Sequence, residues 1–156
     1  MRIHLVFVGK TAFADLDTGI SRYLDRVRFH VPVQMHVVKA GKISPKSTEE
    51  VIKDEEAERI LKLLGKDDCL VIWDQQGTDM DSLGFARFLE GLRNRGTSHV
   101  WMVVGGPLGI SQKLLKRADS VLSLSRMTFP HDLARLMVAE QLYRAFTILK
   151  GGPYHK

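Results

Sequence analysis

The sequence predicts an α/β fold, with a parallel sheet covered by helices. Two observations carry the prediction. Apolar runs rich in Val and Ile alternate with longer segments of helical period. The length of 156 residues, 44% of them hydrophobic and 26% charged, is that of one domain spanning 1–156. A chain of this size buries about 70% of its unfolded surface, so it folds without a disulfide or metal staple.

Ile3 to Val8 reads as the first strand. Ala12 to Val27 follows as a helix, because Leu16, Ile20, Tyr23, Leu24 and Val27 share one stripe. Val33 to Val38 is a second strand and Ala40 to Lys46 an exposed, basic loop. Ser47 is placed to cap the next helix, where Glu49 and Glu50 suit the positive end of the dipole. Val51, Ile52, Ile60, Leu61 and Leu64 supply its apolar contacts, and Gly65 stops it.

Cys69 to Trp73 is the third strand, followed by a turn at Asp74-Gln75-Gln76-Gly77. A helix from Asp81 to Arg93 offers Leu83, Phe85, Phe88, Leu89 and Leu92 to the core. The fourth strand, Val100 to Val104, runs into Gly105-Gly106-Pro107-Leu108-Gly109. A short helix from Ser111 to Ala118 and a fifth strand from Val121 to Leu124 come next, and Pro130 suits the first turn of a last helix that reaches Leu149. In that helix Leu133, Leu136, Met137, Val138, Leu142, Tyr143, Phe146 and Leu149 are spread over more than one face, which predicts a second buried surface and a homodimer.

The net charge of +5 is unevenly distributed. Residues 1–110 hold 15 bases and 15 acids, whereas the last 46 hold eight bases, Lys113, Lys116, Arg117, Arg126, Arg135, Arg144, Lys150 and Lys156, against Asp119, Asp132 and Glu140. Such an excess suits either a polyanionic partner such as RNA or a plain solvated face. The single cysteine, Cys69, cannot form an internal bridge, which fits a reducing cytoplasm. The N-terminus has too short an apolar run for a signal peptide, and no run approaches a membrane span, so neither secretion nor a membrane partner is expected.

Common nucleotide and metal signatures fail. Gly9-Lys10-Thr11 follows a strand like the end of a P-loop, but His4 stands where that motif requires glycine. Gly105 to Gly109 lacks the spacing of the dinucleotide fingerprint. With one cysteine and histidines scattered at 4, 30, 36, 99, 131 and 155, no metal site is expected. What remains gathers at three strand ends: Trp73, Gly105, and the segment Leu124 to Phe129. Open α/β sheets bind ligands there.

These residues carry a resemblance. Val104-Gly105-Gly106-Pro107-Leu108-Gly109, Leu122 to His131 with its Thr128-Phe129-Pro130-His131, Ala139-Glu140-Gln141-Leu142-Tyr143-Arg144-Ala145, and the terminal Pro153-Tyr154-His155-Lys156 together resemble the RlmH family from end to end. Its members are SPOUT-class enzymes that methylate a pseudouridine in large-subunit ribosomal RNA. The resemblance implies a C-terminal trefoil knot, a homodimer, ribosomal RNA or the ribosome as partner, and S-adenosyl-L-methionine as methyl donor. By motif position it places cofactor contacts on Trp73, Gly105, Leu124, Ser125, Arg126, Met127, Thr128 and Phe129. An aliphatic residue is more usual where Trp73 stands, so the indole either packs on the adenine or leaves only backbone to contribute.

A methyl acceptor nitrogen that carries a proton needs a base or a stabilising cation nearby. His155 and Arg144 are the candidates, with Tyr154 to stack on or orient the base. Each has a structural alternative. Arg144 can pair with Glu140 one helical turn earlier, a terminal Tyr-His pair can fray, and His131 can be a helix-start residue as readily as a catalytic one. Two other functions fit the same residues: a SPOUT enzyme acting on transfer RNA, and a ribosome-associated RNA-binding protein without catalysis.

Overall fold

The computed structural model describes residues 1–42, 44–45 and 47–155. Strands β1 (Arg2–Val8), β2 (Val33–Val38), β3 (Cys69–Asp79), β4 (His99–Val104) and β5 (Ser120–Ser123) form one sheet in the order β2-β1-β4-β3-β5. All of its ladders are parallel. Helices α1 (Ala14–Arg28), α3 (Ser82–Asn94) and α5 (His131–Leu149) cover one face, while α2 (Glu49–Leu61) and α4 (Gln112–Arg117) cover the other.

Alternation along each strand decides which core a residue joins. Ile3, Leu5 and Phe7 of β1 meet Ile20, Leu24 and Val27 of α1, with Phe85, Leu89 and Leu92 of α3 and Val138, Leu142 and Phe146 of α5 in the same cluster. Val6 and Val8 point the other way, into a smaller cluster with Ala57 and Ile60 of α2 and Leu114 of α4. The predicted stripe of α1 is therefore the buried one. Val51 and Leu83, expected in the core, are instead 49% and 41% exposed, because each sits in the first turn of its helix, beyond the part that packs on the sheet.

Three helices begin on side-chain caps. Thr48, Asp81 and Ser111 accept hydrogen bonds from the backbone N–H of Val51, Gly84 and Lys113. Thr48, one residue after the expected Ser47, thus caps α2, while the Ser47 hydroxyl lies 3.1 Å from that of Ser44. In the loop before it, Gly41 N–H donates to the buried Glu56 carboxylate at 2.8 Å; Ile43 and Lys46 of the expected basic loop lie outside the described residues.

α5 lies between α1 and α3 and has no exposed position between His131 and Leu149. Its wide apolar surface is explained within the chain: Leu142 and Phe146 are 0% and 4% exposed in the chain's own core. They are not interface residues. The half-buried Leu133, Leu136, Met137, Glu140 and Tyr143 are what α5 leaves for another surface.

The N-terminal end of α5 is tied to β1 by a buried ion pair. Arg135, 0% exposed, donates from Nη2 to Val8 O at 2.6 Å and from Nη1 to Thr11 Oγ1 at 3.1 Å. Its Nη1 lies 3.0 Å from Asp132 Oδ1, and Asp132 Oδ2 accepts from Ala12 N–H at 2.7 Å. This last bond draws Ala12 out of the helix expected to start there, so α1 begins at Ala14.

On the α2 side of the sheet, near the N-terminal ends of the strands, His4, His36 and His99 form a hydrogen-bonded row. His4 bonds His36 through Nδ1 and His99 through Nε2, both at 3.0 Å, and stacks on Trp101 with ring centres 4.0 Å apart. Trp101 Nε1 donates to Asp68 Oδ2 at 2.7 Å. A neutral imidazole can donate at one nitrogen and accept at the other, which is what His4 must do here. Burial, then His36, His99 and Arg2, outweigh the opposing Asp68 and lower the His4 pKa to about 4. Burial lowers that of His36 as well.

The unfolded chain binds a proton at His4 that the folded chain refuses, so stability falls as pH drops from about 6.5 towards about 4. The loss is on the order of 3 kcal/mol. Urea unfolding of the wild type and His4→Gln across this range checks it, the variant giving the flatter profile. Leu142→Asp and Phe146→Asp are expected to unfold the chain, since each places a charge in its core; circular dichroism separates this from a folded monomer.

Candidate active site at the carboxyl ends of the strands

β3 continues beyond Trp73, through the segment expected to be a turn. Trp73 and Thr78 both pair with Leu122 of β5, so the four residues Asp74 to Gly77 bulge out of the ladder before pairing resumes. Asp74 Oδ1 accepts from Gln76 N–H at 2.9 Å, which shapes the bulge. Gly77 is needed for contact rather than for turning: a Cβ there would lie 2.5 Å from the Leu122 carbonyl carbon.

The bulge braces the segment that follows β5. Thr128 Oγ1 donates to Gln75 Oε1 at 3.0 Å, and Arg126 Nε lies 3.3 Å from Asp79 Oδ2. Within the segment, Ser125 Oγ accepts from Met127 N–H and Ser125 O accepts from Ser123 Oγ, both at 3.0 Å. On the other side, Gly105 to Ile110 leave β4 in a tight loop closed by Gly109 N–H to Gly106 O at 3.0 Å, with Gly109 at a φ of +84° that favours glycine. A Cβ on Gly105 would lie 2.8 Å from Ile110 Cδ1. The first steric conflict there is with the loop itself.

Between these segments and the first turn of α5 lies a cleft of about 530 Å3. Trp73, Gly105, Leu124, Ser125, Met127, Thr128 and Phe129, all expected as ligand contacts, line it. Arg126 does not. Its side chain is 91% exposed and pairs with Asp79 of β3 at 3.3 Å. Trp73 is 7% exposed and packs edge-on against Phe85 at 5.2 Å, so most of its indole belongs to the core, and its buried Nε1 has no partner. Sequence reasoning did not place Asp74, Gln75, Ile110, His131 or Ala134 on this cleft, and all five line it.

Comparison with known proteins bears on this architecture. Residues 1–155 match the family described as "Predicted SPOUT methyltransferase". The chain is 60% identical to a protein of Syntrophobacter fumaroxidans named ribosomal RNA large subunit methyltransferase H, over 157 aligned positions and 100% of both chains. Proteins of the same name from Acetivibrio thermocellus and Halothermothrix orenii are 43% and 39% identical, again over 100% of both chains. The chain belongs to the SPOUT methyltransferase family.

The other expected site residues of this SPOUT chain lie elsewhere. Tyr154 is anchored rather than frayed: its hydroxyl donates to Glu140 Oε1 at 3.0 Å and lies 3.4 Å from that of Tyr23, while its ring packs on Tyr143 and under the Arg144 guanidinium at 4.7 Å. Arg144 donates to the same Glu140 oxygen from Nε at 3.0 Å and Nη2 at 2.6 Å. Burial, with Tyr23 and Glu140, pushes the Tyr154 phenol well above its ordinary range, which keeps it protonated at neutral pH. His155 Nδ1 is buried without a partner. α5 meets the cleft at His131 and Ala134, ten residues and about 15 Å of helix before Arg144. One chain's tail therefore does not join its own cleft.

The basic excess is also largely spent. Arg135 is fully buried, Arg144 pairs with Glu140, Arg117 with Asp119, and Lys113 with Asp54 and Glu58. Lys116, Arg126 and Lys150 remain exposed, and Lys156 lies outside the described residues. Among the described residues no group of three or more His, Cys, Asp or Glu could hold a metal ion. No helix is long and apolar enough to cross a membrane.

Gly77→Ala forces its methyl group onto β5 backbone, which cannot yield as a side chain could. The expected result is a loss of roughly 2 kcal/mol or more, within the range for core overpacking. A melting curve checks it, and proteolysis should report earlier cutting near Ser125 to Phe129, the segment the bulge braces.

Proposed function

We propose that the chain is an S-adenosyl-L-methionine-dependent methyltransferase that modifies N3 of a pseudouridine in large-subunit (23S) ribosomal RNA, on the assembled ribosome in the cytoplasm. The observation that carries this reading is the full-length, 60% identity to a protein named for large-subunit ribosomal RNA methylation. The cleft supports it.

The cleft residues fit the cofactor. Val104, Ile110, Leu124 and Phe129 offer apolar walls for a flat purine, and backbone at Gly105 and Gly106 approaches without intervening side chains. The volume is within the usual span for ligand sites of roughly 300 to 1,000 Å3. Trp73, Gly105, Leu124, Ser125, Met127, Thr128 and Phe129 are assigned to hold it; Arg126 contributes its backbone and fixes the loop through Asp79. When bound, the cofactor supplies an electrophilic methyl group. The chain's own task is to hold the acceptor nitrogen about 3 to 3.5 Å from it and exclude water.

A homodimer is part of the proposal. The tail is docked on Glu140, Tyr143 and Arg144, about 9 to 15 Å along α5 from the cleft residue Ala134, so Tyr154, His155 and Arg144 are assigned to a second copy's cleft, reached across an interface. In that role Tyr154, kept protonated, stacks on or orients the target base, Arg144 offers a fixed cation, and His155 is the candidate to accept the proton of the acceptor nitrogen. The half-buried row on α5 is the surface assigned to the dimer, and the trefoil knot is assigned to the C-terminal segments that border the cleft.

Radiolabelled methyl transfer to ribosomes, naked ribosomal RNA and transfer RNA tests the function. Label in the large subunit, on a nucleoside that behaves as N3-methylpseudouridine, is expected; label in transfer RNA or none at all would overturn it. Gly105→Val should abolish calorimetric binding of S-adenosylmethionine by forcing Gly105 and Ile110 apart within the loop that borders the cleft, and with it the rise in Tm that ligand binding produces. Wild-type affinity in that variant would remove the cofactor assignment from this cleft.

A further inference from the structure

Two sequence features are left without a role by the cleft: Gly9-Lys10-Thr11 after β1, and the basic loop that follows β2 from Lys39. The sheet order sets both beside the cleft. β1 neighbours β4, β2 lies beyond it, and the Gly105 to Gly109 border of the cleft leaves β4 at this same end. A Cβ on Gly106 would lie 3.1 Å from Val8 Cγ1, and Gly9 N–H donates to Val38 O at 2.8 Å. The ends of β1 and β2 therefore continue the rim of the cleft, about 10 Å past β4 at the usual strand spacing.

The backbone of this rim is held from within. Arg59 Nη1 donates to Lys39 O and Gly41 N–H donates to the buried Glu56, both at 2.8 Å. Gly41 packs so closely on α2 that a Cβ there would collide with Ile52. Lys10, Lys39 and Lys42 are left exposed, and among the described residues none of them pairs with a carboxylate. No Asp or Glu precedes Asp15 in the chain, and none occurs between Asp25 and Glu49. The 39–42 loop belongs to the α2 side of the sheet, away from the dimer surface assigned to α5.

We infer that Lys10, Lys39 and Lys42 form a phosphate-binding ledge, which grips the backbone of the ribosomal RNA strand whose target base enters the cleft. The inference rests on the proposed RNA methylation and adds where the RNA docks. The C-terminal third, in which the formal charge excess lies, has most of its cations engaged by its own carboxylates; these three lysines are not. An ammonium is a compact charge with three donors, suited to phosphate oxygens and indifferent to base sequence. Phosphate contacts set register and orientation, which is what a base presented to the cleft requires. The ledge lies about three stacked nucleotides from the cleft border.

Binding of the full-length protein to unmethylated ribosomes, measured across a range of salt, tests the ledge. In the triple variant Lys10→Ala, Lys39→Ala, Lys42→Ala the slope of log affinity against log salt should fall by about 2 to 3, at roughly 0.7 to 0.9 for each phosphate contact. Affinity at about 0.1 M salt should drop on the order of 100-fold by the same relation. KM for ribosomes should rise accordingly, with kcat at saturation, calorimetric affinity for S-adenosylmethionine and melting temperature unchanged, since exposed side chains are removed. Arginine at the same three positions should restore the slope. A control variant, Lys62→Ala, Lys66→Ala, Lys116→Ala, removes the same charge from exposed positions that precede β3 and β5, at the opposite end of the sheet, and should bind as the wild type does.

The outcomes separate cleanly. A ledge variant with wild-type slope and KM, in a protein that still methylates ribosomal RNA, would overturn the inference alone. Equal losses in the ledge and control variants would do the same, because net charge and not position would then be responsible. So would a loss of affinity with the slope unchanged, which is contact with something other than phosphate. A wild-type protein that binds the cofactor yet neither binds nor methylates any RNA would overturn both readings.

Discussion

The pair of Asp132 and Arg135 is the constraint on which the working end of this protein depends. It joins the first turn of α5 to the end of β1 and to the loop at Thr11 and Ala12 in one step, with both charged side chains buried. Removing one partner of such a pair typically costs about 3 to 5 kcal/mol, because the other charge is left without compensation. Replacing both by apolar residues need not weaken the fold, so stability alone does not explain them. Their position does: the residues on either side, His131 and Ala134, form the cleft wall contributed by α5. The pair fixes where that wall stands relative to the strand ends.

A second constraint works across the sheet. The β3 bulge lets one strand pair with β5 twice, with Leu122 facing both Trp73 and Thr78, and the extra residues become supports for the segment after β5. Without Gly77 the bulge could not lie against β5, and without the bulge Gln75 would not reach Thr128. The cleft is thus bordered by three loops, each fastened by its own hydrogen bonds before any ligand arrives. Such preorganisation suits a reaction in which positioning supplies much of the catalysis.

The opposite end of the sheet obeys a different logic. His4, His36 and His99 satisfy one another where an apolar side chain would ordinarily sit, with Trp101 stacked beneath and Asp68 closing the row. The row shares no residue with the cleft and lies at the other ends of the strands. It makes the fold sensitive to acid through His4 and His36, whose pKa values burial lowers, and that sensitivity belongs to stability rather than to chemistry.

The order and type of the elements were legible in the sequence, because Val/Ile runs and helical stripes report burial directly; so were seven cleft residues, whose motifs carried a family resemblance. What the sequence could not show were events that need two distant segments at once. The run Asp74 to Gly77 reads as a turn until β5 supplies the second pairing. Leu142 and Phe146 read as an interface because periodicity records that a face is buried, not what buries it; α1 and α3 turn out to flank α5 within the same chain. Formal charge counted Arg135 as part of a basic surface, whereas tertiary packing sealed it inside and gave it Asp132. His131 reads in one dimension as a helix-start residue as readily as a catalytic one. Only the fold sets it on the cleft with a buried carboxylate behind it, since that placement depends on where α5 is pinned and not on which residues surround it in the chain.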